Sequence, residues 1–430
     1  MSSPNIYGNN LYLTGDFSSH TFYNILTYGA SPGATAAVNN VAIQAAISAA
    51  QASTNGICVI PPGVFNISAS MNLYSNTTIL LQGTLKQTAG ANICIFYIWA
   101  PAQNIRISGP GTLDINGSTQ SEVFASGIIN QSSAAGSLTN AIFEGFTIAN
   151  AYYWPTNLLG CTDVTIRDVT VKNANPYTGF AGVNGPSGLG FAGDHANNRG
   201  STNCWIERCR IYNCFDYGVA FYGSCTACGV RDTVINNYGA VGPGSGPNNC
   251  YGILVLNDAG QPEPSNGIVI SGNSVVCCTQ PPITTLTNAG GVGSHKNITI
   301  SDNHTWLNSM GAYFASVSTV KLSNNIFEEP PSLGAGATNV TQAPIPGISV
   351  VPVSNGATTG SLVANIAGIG FPSNLVVVPV FNGVPPGWSA NSASIQTVSG
   401  GPNTFTLNVY SANAASAAGY CTVFWIATGN

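Results

Sequence analysis

Charge is what this chain most lacks. Asp, Glu, Lys and Arg make up 6% of its 430 residues, and ten Lys plus Arg stand singly against fifteen Asp plus Glu, for a formal net charge of −5. Without a basic stripe nothing neutralises a phosphate backbone, which argues against nucleic acid as a partner. No apolar run reaches membrane-spanning length, so no membrane insertion is expected. Residues 1–10 show no basic region followed by an apolar one, so an extracellular role calls for lysis, carriage on a particle, or a signal outside this sequence. Histidine numbers four, and no compact His/Asp ligand set stands out, so neither a metal nor another cofactor is expected.

What remains is apolar and small. The hydrophobic share of 44% is too high for a disordered chain, and the polar residues are mainly Asn, Ser and Thr, a neutral skin compatible with sugar ligands. Twelve cysteines exceed what a cytosolic enzyme needs. Cys204 and Cys228 share one repeat position, which favours buried thiols over disulfides or a metal site. Cys225 and Cys228 form a C-x-x-C pair, a zinc half-site or redox pair by spacing, but no second pair follows at finger-like distance.

One short phrase recurs. It reads DVTIRDVTV at 163–171, GIVISGNSV at 267–275, NITISDNHT at 297–305 and TVKLSNNIF at 319–327. Alternating β-branched and polar residues followed by Asp, Gly or Asn spell a strand and a bend. Aligned on the second apolar residue, the units give Ile107, Ile166, Ile206, Val230, Ile270, Ile300 and Leu322; from Ile166 the intervals are 40, 24, 40, 30 and 22 residues. The short intervals suit one solenoid coil, and the long ones the same coil with a loop inserted. An apolar strand precedes each unit, as at 217–221 and 251–255, giving two strands per coil. The expected fold is all-β, a right-handed parallel β-helix, because each coil buries its inward side chains only by stacking on its neighbours.

Residues 1–63 read as an N-terminal segment in which a helix at 38–52, with Val38, Val41, Ala42, Ala45, Ala46 and Ala49 on its apolar stripe, caps the open end of the solenoid. Coils are expected over 64–331 and a linker over 332–344. Longer alternating strands over 345–430 predict a C-terminal antiparallel β-sandwich, a candidate trimerisation domain.

The phrase YGASPGAT at 28–35, the helix VAIQAAISAA, CVIPPGVFNIS at 58–68 and LLQGTLKQT at 80–88 together resemble the start of the pectate-lyase-like β-helix superfamily. The arrangement is closest in character to bacteriophage tailspike polysaccharide depolymerases. The resemblance covers residues 22–329 and implies a polysaccharide as partner, a homotrimer, and a place on a virion tail or otherwise outside the cell. It specifies fold more than reaction. The Asn-Thr-Asp, Asp-Asp, Gly-His-Gly and Arg-Ile-Lys phrases of polygalacturonases are absent, as are the calcium-binding Asp clusters of pectate lyases, so no catalytic residue carries over.

The candidate site follows from loops. Two long ones, at 173–200 and 237–249, flank neighbouring coils as groove walls. In or beside them stand Asp194, His195, Asp216, Asp258 and Glu263, a large part of the fifteen acidic residues. Aligning Phe191 with Val219 and Ile253 sets Asp194 past one strand and Asp216 before the next. A coil spacing of about 4.8 Å with lateral displacement brings the two carboxylates to roughly 6–10 Å, the range of an inverting glycosidase. Asp258 or Glu263 is the substitute partner, and His195 would tune Asp194 or bind a hydroxyl. Asp168, Asp232 and Asp302 sit at matching bends and read as turn residues. Tyr153, Trp154, Tyr177, Tyr217, Tyr222 and Tyr251 offer stacking faces for sugar rings, although Tyr217 and Tyr251 share one repeat position and would equally form a structural stack. Arg199 would hold a sugar carboxylate or fasten its loop. Three outcomes stay open: endo-acting glycoside hydrolysis, a polysaccharide lyase, or a non-catalytic glycan binder.

Overall fold

A computed structural model describes residues 19–122, 124–173, 187–237, 250–257, 263–276, 278–288, 291, 293–308, 311–327 and 331–353. Beyond these it describes five strands, at 359–365, 376–381, 390–397, 404–411 and 419–429. Three parallel sheets wrap one continuous core. Sheet 1 carries the repeated phrase, and two further sheets of ten strands each stack alongside it.

The register of sheet 1 confirms the repeat. Ile166 pairs with Ile206, Ile206 with Val230, Val230 with Ile270, Ile270 with Ile300 and Ile300 with Leu322, and all six are buried. The same row extends backward through Phe143, Ile107, Ile79 and Cys58. Phe143 marks a coil that the alignment passes over, because an aromatic replaces the β-branched residue there.

Each full coil has three strands where two were expected. From the strand Thr162–Arg167 onward, the bend after the sheet 1 strand is a single residue in the left-handed region, with φ of 55° at Asp168, 50° at Arg208, 54° at Asp232, 66° at Gly272 and 58° at Asp302. Asp, Asn and Gly tolerate that conformation best. A strand of three residues such as Thr170–Lys172 or Arg210–Tyr212 follows at once in sheet 3, so the phrase spans two strands. Asp168 is further tied to Arg208 by paired bonds of 3.0 and 2.8 Å, which confirms its structural reading. Just past the bends, the Asn273 side chain donates to that of Asn303 and Asn303 to that of Asn325, at 2.9 Å each, so the amides satisfy one another inside the coil.

The helix runs Ala36–Gln51 with the Thr35 hydroxyl accepting from the Val38 amide at 3.4 Å, a conventional N-cap. Its buried face is Asn39, Ala42, Ile43, Ala46, Ile47 and Ala50. This corrects the expected stripe, since Val38 and Val41 are exposed; Ile43 and Ile47 are the larger side chains and turn the helix toward the core. The helix lies against the first coil, and Gln44 donates to the Asn72 carbonyl at 3.1 Å while accepting from the Asn72 amide at 2.7 Å.

The expected boundaries shift at both ends. Thr21–Asn24 and Gly56–Ile60 already pair in sheet 1, so coiling starts before residue 64. Within the expected linker, Ser332–Leu333 pairs with Tyr313–Phe314, and Val340–Val353 enters sheet 1 parallel to Val320–Ser323 before pairing antiparallel with Gly419–Gly429. Thr359–Asn365, Thr404–Ser411 and Ala390–Thr397 form a separate three-stranded antiparallel sheet.

Candidate functional site: a cleft on sheet 2

Sheet 2 departs from simple alternation. In Tyr251–Asn257 the sequence YGILVLN is nearly all apolar, and Ile253 and Val255 enter the main core while Leu254 and Leu256 join a separate cluster with Tyr217 and Ala220. A strand that is apolar on both faces has something covering or occupying its outer face. Tyr217 and Tyr251 also join the outer cluster, although Val219 and Ile253, two residues on, lie in the core. The alternation breaks at Gly218 and Gly252, where a Cβ would come within 2.5 Å of Ile235 and 2.3 Å of Val275.

On this face lies a cleft of about 590 Å³. The strand register builds its floor from Leu159, Ala192, Tyr222, Leu256 and Leu286 in one row. The small residues Gly190 and Ala192 are part of its lining. Of the residues expected to act, Trp154, Asp194, Asp216, Tyr217, Tyr222 and Tyr251 all line it. The Tyr217 and Tyr222 rings lie 5.7 Å apart, and Trp154 packs on Tyr153 with ring centres 4.4 Å apart.

Asp216 stands just before Tyr217–Tyr222, and its carbonyl accepts from the Tyr251 amide at 2.9 Å. Burial pushes its carboxyl up to about 7, and a hydrogen bond with Ser187 pulls it only part of the way back. The nearby Tyr217 and Tyr251 phenols are raised, first by burial and then by the Asp216 charge. Near neutral pH this cleft therefore holds a carboxylic acid that is partly protonated.

Asp194 behaves in the opposite way. Burial works to raise it, but hydrogen bonds from Ser132 and Asn197 and the charge of Arg199 hold it below the usual carboxylate range. Asn197 donates through its side chain at 2.7 Å and its backbone at 3.3 Å. Backbone bonds of 2.7 and 2.9 Å join Asp194 to Arg199, whose guanidinium reaches the Ser132 hydroxyl at 3.2 Å and the Ser133 carbonyl at 3.1 Å. Arg199 thus fastens its loop.

The register assumed for the two aspartates is corrected. Sheet 2 pairs Leu189 with Val219 and Phe191 with Phe221, a slip of two residues from the assumed alignment, which a period-two pattern does not register. Asp216 precedes the first of these strand levels and Asp194 follows the last, so at least six residues of extended chain, roughly 20 Å, separate them. They stand at opposite ends of one cleft.

The other candidates divide. Tyr153 is buried beneath Trp154, and Glu263 is exposed and outside the cleft, its backbone held by Ser224 at 2.6 and 3.0 Å. His195 begins the short helix His195–Asn197; its side chain, Tyr177 and Asp258 lie outside the described residues. Sequence reasoning missed Asn157, Asn288 and the leucine floor. The continuous apolar run at 253–256 was the available signal. The ten described cysteines are free and buried, and burial raises thiols such as Cys58 to about 12. Among the described residues no group of three His, Cys, Asp or Glu is placed to hold a metal, and no helix is long and apolar enough to cross a membrane.

No protein-family model matches the chain, and no curated protein matches it in sequence. Solved structures do match in fold. A surface adhesin of Streptococcus pneumoniae aligns at 15% identity and TM-score 0.50 over 75% of this chain and 97% of its own. A mannuronan C-5 epimerase module of Azotobacter vinelandii aligns at 16% and 0.45 over 75% and 99%. A Thermotoga maritima exopolygalacturonase aligns at 14% and 0.41 over 74% and 91%. These likenesses show the fold, a right-handed parallel β-helix.

Proposed function

We propose that this β-helix protein binds a polysaccharide in the sheet 2 cleft and hydrolyses it internally, with Asp216 as proton donor. One observation carries the reading: a carboxyl raised to about 7 lies in an open cleft beside Tyr217, Tyr222 and Tyr251. Its pKa suits a group that must hold a proton at neutral pH and release it in the transition state. Asp216 passes its proton to the glycosidic oxygen as the C–O bond breaks; water then adds to the anomeric carbon and returns a proton to the Asp216 carboxylate. One carboxyl serves both transfers, so Asp194 need not reach the same bond. Its part is to hold the loop that closes the far end.

A second reading, glycan binding without cleavage, draws support from the roughly 20 Å of extended backbone between the two aspartates, where paired glycosidase acids face one bond. End-group analysis after incubation with bacterial surface polysaccharides separates the outcomes. New reducing ends support hydrolysis, unsaturated ends mean a lyase, and retention of an intact glycan means a binder.

The finer placement belongs to the same proposal: a homotrimer on a virion tail or otherwise outside the cell, with the first helix closing one end of the solenoid and a sandwich at the other. The tailspike-like opening phrase and the nearly uncharged C-terminal segment support it. Light scattering that returns a monomer mass at micromolar concentration removes the trimer.

A further inference from the structure

We propose that the cleft is built for an uncharged glycan with methyl-bearing or otherwise apolar faces and excludes polyuronates and sulfated glycans. The inference rests on the reading of the cleft as a glycan site and names its substrate class. Its ground is where the cations are. The chain has ten Lys plus Arg, and all ten fall within the described residues.

Four lie in strands of sheet 1, where Arg106 and Arg167 flank Glu144, Arg231 pairs with Glu207 at 2.5 Å, and Lys321 follows three coils on. Three lie in sheet 3, at Lys86, Lys172 and Arg210. Arg208 clasps Asp168 at the bend between those sheets, and Lys296 precedes the sheet 1 strand Ile298–Ser301. Only Arg199 approaches the cleft, and its guanidinium is turned to Ser132 and Ser133.

No strand of sheet 2 contains a charged residue of either sign, and no Lys or Arg lines the cleft. Segments 174–186 and 238–249, outside the described residues, have no charged residue in their sequence, so they supply no cation. Among the described residues the acidic groups that line the cleft are Asp194, held charged, and Asp216, which gains charge as pH rises through about 7. A glycan carrying a carboxylate or sulfate on each repeat would meet like charge and no counter-charge, an arrangement that rejects a partner.

The floor gives the positive half of the argument. Leu159, Leu254, Leu256 and Leu286 face the cleft with Tyr222, and such surface gains by covering C–H faces and methyl groups. Asn157 and Asn288 at the lining offer both donors and acceptors to hydroxyl or acetamido groups without charge. A volume of about 590 Å³ lies in the range of sites that engulf a small-molecule ligand.

The test places the full chain on an array of neutral, acetamido-bearing, uronate and sulfated glycans at 50 and 500 mM NaCl. Retention by uncharged members, with affinity changing less than about twofold between the two salts, and loss of at least about tenfold in Leu286→Glu, is the expected result. Leu256→Glu is the second variant, and circular dichroism checks both folds. Preferred retention of uronate or sulfated glycans, weakening with salt, overturns the inference. The two readings fail separately. An uncharged glycan bound but never cleaved removes the hydrolase and leaves the inference; a cleaved uronate does the reverse; an array with no glycan retained removes both.

Discussion

The two ends of the cleft hold the same side chain in opposite states. At one end Asp216 is raised to about 7, mainly by burial, with Ser187 as its named bonding partner; at the other Asp194 is lowered by Ser132, Asn197 and Arg199 in spite of burial. Burial pushes both upward, so the number of donors decides the outcome. A carboxylate supplied with several donors is a fastening, and one denied them is a proton store. Sequence alone sees two Asp residues beside strands; the difference lies in what folds back onto them.

The sharpest way to break the comparison is Asp216→Asn. It should lower cleavage by about 100- to 10,000-fold in a reducing-end assay, while Asp194→Asn lowers it less than about tenfold. Equal losses in the two variants would return Asp194 to the chemistry.

Next in size is Gly218→Val. A Cβ there lies within 2.5 Å of the Ile235 side chain, so the strand carrying Tyr217 must shift, at a cost of about 1–3 kcal/mol or more. Denaturant melts should show that loss, and a stability unchanged from wild type would mean the strand has another way to turn Tyr217 outward.

Asp194→Ala should cost about 1–3 kcal/mol, because Asn197 and Ser132 lose their acceptor. Limited proteolysis between residues 194 and 199 should accelerate with it.

The pH dependences should run in opposite senses. Asp194 is lowered from 3.8, so its stabilisation is full above that value and is lost as pH falls through its folded pKa. Asp194→Asn therefore lowers Tm at pH 7 and has little effect at pH 2. Asp216 is raised from 3.8 to about 7, so ionising it costs nothing below 3.8, costs more through that window and costs the full amount above it. Asp216→Asn should raise Tm at pH 8, by about 3 °C, and leave it unchanged at pH 3.5. Cleavage, which needs the protonated acid, should fall above pH 7 with Asp216. The smallest effect belongs to exposed Glu263; Glu263→Gln should change stability by less than about 0.5 kcal/mol and leave cleavage intact.

The interior row was legible because β-branched residues at one phase of a repeat have one place to go. Ile166, Ile206, Val230, Ile270, Ile300 and Leu322 stack as the spacing required. The third strand of each coil was hidden behind one left-handed residue, since three residues such as Thr170–Lys172 are too few to show their own alternation. At the cleft, Trp154, Asp216, Tyr217, Tyr222 and Tyr251 were found from loops and aromatics. The separation of Asp194 from Asp216 was not, because sliding Phe191 from Val219 to Phe221 keeps every side chain on its own face. Helix rotation failed for a related reason: an alanine-rich segment offers many similar stripes, and only Ile43 and Ile47 distinguish one.

Stacked coils also set how the molecule answers to force. Hydrogen bonds between coils run along the solenoid axis, so tension applied along that axis loads them one coil after another, as in opening a zipper. Between Ile166 and Leu322 the chain stored per coil is 40, 24, 40, 30 and 22 residues, which corresponds to release lengths of roughly 80–140 Å at full extension. A sawtooth of unequal steps, with the longest at the two 40-residue intervals, is the mechanical signature of this fold.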